Sequence, residues 1–133
     1  MSRKLKLQPA HFCEENVNPS GNKSGDCVIR ALAKAFGWSW EKTLMVLTGV
    51  ALKEHASPLY KDTYEKLLTR FETVPVMHKV NGKNKRYTAK DITKWKGTYV
   101  ISQAHHLAVV KDGLLYDTWD CGNRCSYKIW RIE

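Results

Sequence analysis

No stretch of this chain approaches the roughly 18 consecutive apolar residues that mark a membrane-spanning helix. The start, MSRKLKLQPAHF, has no apolar core of the kind a secretory signal carries. Both absences predict a cytoplasmic protein with no membrane partner. Repeats, Pro-rich linkers and low-complexity runs are also missing, with only four prolines in 133 residues, which predicts one domain over residues 1–133. Gly21 and Gly25 do not stand in the glycine-lysine-serine spacing or helix context of a phosphate-cradling loop, so nucleotide chemistry of that type is excluded. Acidic residues are scarce. Thirteen Asp and Glu against 22 Lys and Arg leave a net charge of +9, a field that steers nucleic acid or acidic proteins toward the surface.

What is present fits a folded domain. Hydrophobic residues make up 43% of the chain, enough for a core without covalent staples. The four cysteines, Cys13, Cys27, Cys121 and Cys125, therefore read as reduced thiols rather than a disulfide framework. Much of the positive charge falls in one stretch containing Lys79, Lys83, Lys85, Arg86, Lys90 and Lys94. It reads as a solvated basic surface, with a nucleic-acid contact as the alternative; Tyr87 and Trp95 form no evident base-stacking pattern.

The elements follow from periodicity and punctuation. Residues 1–25 are rich in Asn, Pro, Ser and Gly and predict an irregular segment and loop. A buried helix is expected over about 26–36, where Val28, Ala31, Leu32 and Ala35 share a face and Gly37 closes the end. Ser39 is placed to cap a second helix over about 40–55, and a third follows over about 60–71 after Ser57-Pro58. A short strand over 74–80 precedes the turn Asn81-Gly82. Thr88-Ala89-Lys90-Asp91 has the spacing of a capping box and opens a short helix ending near Trp95. After Gly97 the period becomes that of strands: 98–102, 106–110, 114–119 and 127–132. Lys111-Asp112-Gly113 supplies a hairpin turn between the second and third. Helices first and antiparallel strands second make an α+β fold in which N-terminal helices pack on a C-terminal antiparallel sheet.

Cys27 opens the first helix, where the helix dipole and unpaired N–H groups favour a thiolate. A nucleophilic cysteine needs a base, and the base needs a group to orient its ring. Folding the hairpin about Lys111-Asp112-Gly113 faces Val110 with Leu114 and brings His106 level with Thr118, next to Asp117. Cys27, His106 and Asp117 thus form a candidate triad. Strand alternation sends neighbouring His105 to the opposite, solvent side. Asp120 is a rival third member, read more simply as a turn former, and Arg30 is one turn from Cys27, placed to pair with a carboxylate.

A helix-borne Cys, then His on a strand, then Asp on the next strand resembles the order of papain-like cysteine peptidases. Gly25-Asp26-Cys27, His106-Leu107-Ala108-Val109-Val110 and Tyr116-Asp117 carry the likeness. With Asn18-Pro19 and Tyr116-Asp117-Thr118-Trp119-Asp120, the chain resembles small papain-like proteins of bacteria and their phages, and the peptidase domains of bacteriocin exporters. The resemblance implies a bacterial or phage-encoded thiol hydrolase of peptide or isopeptide bonds, needing no cofactor, with a protein or peptide substrate that its charge biases toward acidic sequences. The family usually places an oxyanion-binding glutamine about six residues before the cysteine. Here that position is Gly21, and Asn22 is the nearest amide, so Asn22 and the Cys27 N–H are the expected donors. One missing donor of this kind typically costs 10²–10³-fold in rate. Two alternatives stand beside the triad. One is a catalytically weak or inactive papain-like module whose basic surface binds nucleic acid or an acidic protein. The other is a zinc site made by His11, Cys13, Cys121 and Cys125, with Cys121 and Cys125 at a spacing that structural zinc sites use.

Overall fold

The computed structural model describes residues 9–23 and 25–133, which form a mixed α+β fold of helices and a six-stranded sheet. The basic start of the irregular segment, residues 1–8, and Ser24 lie outside the described residues. No helix among the described residues is long and apolar enough to cross a membrane.

The first helix, α1 (Cys27–Phe36), buries seven of its ten residues, which makes it a core element rather than a surface one. Gly37 ends it with φ 68°, its N–H returning to the Ala33 carbonyl. Ser39 accepts from the Lys42 N–H to start α2 (Trp40–Glu54), and α3 (Lys61–Leu68) follows. Thr88 and Asp91 complete the expected capping box at α4 (Ala89–Ile92), each side chain accepting from the other's backbone N–H.

The strands are β1 (Phe12–Glu14), β2 (Glu72–Val74), β3 (Met77–Val80), β4 (Lys83–Arg86), β5 (Thr98–Gln103), β6 (His106–Lys111), β7 (Leu114–Asp117) and β8 (Lys128–Arg131). The large sheet runs β1-β7-β6-β5-β8-β2. Alternation along its strands divides the core in two. Val100, Leu107, Val109 and Trp130 pack with α1, Leu47, Tyr64 and Leu68 on one face. Tyr99, Ile101, Ala108, Val110, Leu115 and Ile129 pack with Phe12 and Ile92 on the other. Gly97 tucks under the chain end: a Cβ there would lie 2.1 Å from the Glu133 carbonyl oxygen, and its φ is 107°.

Three expectations are corrected. The sheet is not wholly antiparallel, because residues 12–14 of the segment expected to be irregular pair in parallel with β7. The strand expected over 74–80 is two strands interrupted at Pro75, whose missing N–H and fixed φ disfavour a continuous ladder. β3 then turns through Asn81 and Gly82, both at positive φ, into β4, a strand that periodicity did not announce. Finally, the β6–β7 loop is two residues, Asp112 and Gly113 at φ 51° and 83°, so Lys111 rather than Val110 faces Leu114. The register moves by one.

Candidate active site

Residues that start or end elements build the site. Cys27 is the first residue of α1, His106 the first of β6 and Asp117 the last of β7. Asp117 and His106 meet directly: His106 Nε2 donates to Asp117 Oδ2 at 2.6 Å. Asp117 Oδ1 accepts from the Thr118 N–H at 2.7 Å, which fixes the carboxylate plane. With Nε2 committed to Asp117, Nδ1 is the nitrogen open to the thiol, and Cys27 and His106 share the wall of one cavity. Sequence proximity within one hairpin thus becomes contact, even though the register differs from expectation. By the observed pairing, His106 comes level with the Trp119 region, and its ring lies 5.0 Å from the Trp119 ring.

The electrostatics favour an ion pair. Burial alone raises the Cys27 pKa. Hydrogen bonds from His106 and the Leu107 N–H, with the charges of His106 and Arg30, outweigh it and bring the thiol below its ordinary value. For His106, burial alone lowers the pKa. Hydrogen bonds to Asp117, Cys121 and Cys27, and the Asp117 charge, reverse this and push it up to about 11. Shifts in these two directions both favour the proton on the ring and the charge on the sulfur.

A buried network stands behind the pair. Asp26, 5% exposed, accepts from Asn18 Nδ2 at 2.8 Å and Trp40 Nε1 at 2.9 Å, and pairs with Arg30 one helical turn on. Arg30 also stands 4.0 Å from Asp117 Oδ1. One guanidinium therefore ties the loop before α1 to the residue that orients His106. Asn18-Pro19 and Gly25-Asp26 are legible here as structural parts: the first amide holds the carboxylate that anchors the helix start.

A cavity of about 610 Å³ opens beside the thiol, lined by Cys27, Val28, Leu59, Lys61, Tyr64, Ser102, Gln103, Ala104, His105, His106, Leu107 and Tyr127. Tyr64 and Ser102 hydrogen-bond to each other at its wall, and burial, the largest influence, raises the Tyr64 hydroxyl pKa, so it is a neutral polar contact. Periodicity marked Tyr64 only as an inward helix residue and Ser102 only as a strand residue. No spacing rule joins positions so far apart, and the sheet brings them together.

The other expected site residues fall elsewhere. Asn22 is exposed and absent from the cavity lining; its carbonyl accepts from Asn16 Nδ2. The loop closes on itself there, and the Asn18 amide in the same loop donates to Asp26. His105 is a turn residue at φ 53°, exposed at the cavity edge, rather than a strand residue facing away. Asp120 accepts from His11 Nε2 at 3.0 Å and from the Gly122 N–H at 2.8 Å, which makes it a turn former. The zinc quartet is not assembled. His11 is engaged with Asp120, Cys13 lies on β1, Cys125 is exposed, and Cys121 turns inward to within 3.6 Å of Asp117 Oδ2. Cys121 stands beside the dyad rather than with Cys125, the partner its short spacing predicts. The basic residues occupy the β3–β4 hairpin, α4 and, for Lys94, the turn after it; none lines the cavity, though the Arg86 guanidinium stands 5.1 Å over the ring of the lining residue Tyr127. Arg86 there donates to the Ser126 carbonyl at 3.2 Å.

In comparison with known proteins, the chain matches no family model, no curated protein and no solved structure.

Proposed function

We propose that the chain is a papain-like thiol hydrolase acting on an acyl bond, most simply a peptide or isopeptide. The observation that carries this reading is the contact chain Cys27–His106–Asp117 at the wall of an open cavity. Cys27 Sγ attacks the carbonyl carbon, forming a tetrahedral oxyanion that the Cys27 N–H at the start of α1 is placed to receive. The intermediate collapses with the His106 proton passing to the leaving nitrogen, so an amine departs and a thioester remains on Cys27. His106 then takes a proton from water as it attacks the thioester, and the acid product and free thiolate follow. Asp117 holds the imidazole in the tautomer that both steps require. With Lys61 at the edge and no acidic side chain among its lining residues, the cavity favours an acidic or neutral segment.

The basic β3–β4 hairpin supports a second reading, a binding module in which the thiol turns nothing over. An activated peptide ester separates the two. The hydrolase reading expects a mass shift on Cys27 equal to the acyl group, followed by its loss with continuing release of acid, and no adduct in Cys27→Ala. An adduct that never clears, or one divided evenly between Cys27 and exposed Cys125, would favour the binding module.

A further inference from the structure

Cys121 is 1% exposed, takes no part in the acyl transfer just described, and yet its sulfur points at the back of the dyad. Its Sγ lies 3.6 Å from Asp117 Oδ2 and hydrogen-bonds to His106. Sγ of Cys121, a ring nitrogen of His106 and a carboxylate oxygen of Asp117 all fall within 4.8 Å of one another. We infer that these three side chains form a binding site for a zinc-like divalent cation, and that the ion blocks the catalytic histidine from behind.

The chemistry of the donor set fits. Thiolate, imidazole and carboxylate are the ligands zinc takes in proteins, at about 2.3 Å for sulfur and about 2.0–2.2 Å for nitrogen and oxygen. Tetrahedral placement at those lengths separates N and O by about 3.3 Å and S and O by about 3.5 Å. The Cys121 Sγ–Asp117 Oδ2 distance already matches at 3.6 Å, and the His106–Asp117 contact at 2.6 Å has to open by less than an ångström. Charge closes as well: one thiolate and one carboxylate neutralise a dication in a buried place, which a site of neutral ligands would not do. Binding releases two protons to solvent, from Cys121 Sγ and from His106 Nε2, and leaves His106 Nδ1–H facing Cys27. Trp119, 41% exposed, places its ring 5.0 Å from that of His106 on the solvent side of the cluster.

The consequence for function is direct. An imidazole holding a metal at Nε2 keeps its Nδ1 proton and cannot act as the base for Cys27 or for water. The two groups that hold the ring in the metal-free protein, Asp117 and Cys121, become with it, on binding, an off-switch. The binding site itself does not depend on the hydrolase reading; only its effect on turnover does.

The test is titration with Co(II), whose thiolate-to-metal charge-transfer absorption reports sulfur ligation. The background is Cys13→Ser with Cys125→Ser, which removes the two other thiols not packed in the site. One equivalent per chain is expected to develop the band, and one equivalent of Zn(II) to bleach it. Cys27→Ala should keep the band. Cys121→Ser should lose it, and Asp117→Asn should weaken binding at least tenfold. No band with Cys27 and Cys121 both present, or a band that survives Cys121→Ser and vanishes in Cys27→Ala, overturns the assignment. Because the Cys27→Ala arm has no nucleophile, metal binding there stands whether or not the protein proves to be a hydrolase.

Discussion

His106→Ala is expected to lower kcat/KM for thiol-dependent acyl transfer by about 10³-fold, within the 10²–10⁴-fold range of a positioned acid–base group. Two losses combine. The thiol loses the hydrogen bond and charge that hold it below its ordinary pKa, so its thiolate fraction falls. The leaving nitrogen loses its proton donor, which matters most for an amide and least for an activated ester. Comparing the two substrates separates the contributions: the ester should suffer less than the amide. Asp117 would remain in place, held by the Thr118 N–H and facing Arg30, so the variant should fold. A fall of less than tenfold on both substrates would mean that His106 is not the base.

The second large effect is on stability. Asp26→Ala should cost about 3–5 kcal/mol, the range found when one partner of a buried ion pair is removed. Asp26 is the common acceptor for Asn18, Trp40 and Arg30, so its loss leaves a buried guanidinium and two half-buried N–H donors without their partner. Arg30 itself is 8% exposed, and its next carboxylate, Asp117 Oδ1, stands 4.0 Å away. For a chain of this size the cost corresponds to a fall in Tm on the order of 10 °C. Urea unfolding followed by far-UV circular dichroism reads it as a lower midpoint with an unchanged slope. Arg30→Met, which removes the charge and keeps the stem's packing, still leaves Asp26 unpaired and should also destabilise. A loss below about 1 kcal/mol for Asp26→Ala would show the network to be solvated rather than buried.

Much of this was legible because local signals and tertiary structure agree. Gly37, Ser39 and Thr88-Asp91 punctuate helices by chemistry that needs no tertiary partner, and each acts where expected. The apolar strands 98–102 and 106–110 are periodic enough to set themselves. What escaped depends on pairing across the chain. Three residues, Phe12–Glu14, carry too little pattern to announce a strand, and become one only because β7 offers an open edge. The hairpin loop was one residue shorter than read, since Asp112 itself takes the positive φ that a tight turn needs. His106 and Asp117 still meet, because a ring and a carboxylate reach across a diagonal of the ladder.

The site shows the same division. Cys27, His106 and Asp117 announced themselves by residue type and order along the chain. Asn22 did not take the place expected of it, because nearness to the cysteine in sequence says nothing of where a loop folds back. Cys121 was read against Cys125 for their short spacing, yet burial selects its partners: the backbone carries one sulfur inward to Asp117 and leaves the other in solvent. Asp26 was the least visible. An aspartate at a helix start reads as a cap, but its side chain makes no cap hydrogen bond and serves the buried network instead.

The most direct measurement is the pH dependence of Cys27 alkylation by iodoacetamide, read by mass spectrometry against an added short cysteine peptide as reference. An unperturbed thiol in such a peptide titrates near pH 8.5. The Cys27–His106 pairing predicts a Cys27 profile with its midpoint below that of the peptide, moved back toward it by His106→Ala. A Cys27 profile that coincides with the peptide's, and does not move in His106→Ala, would contradict an activated thiol and with it the proposed hydrolase.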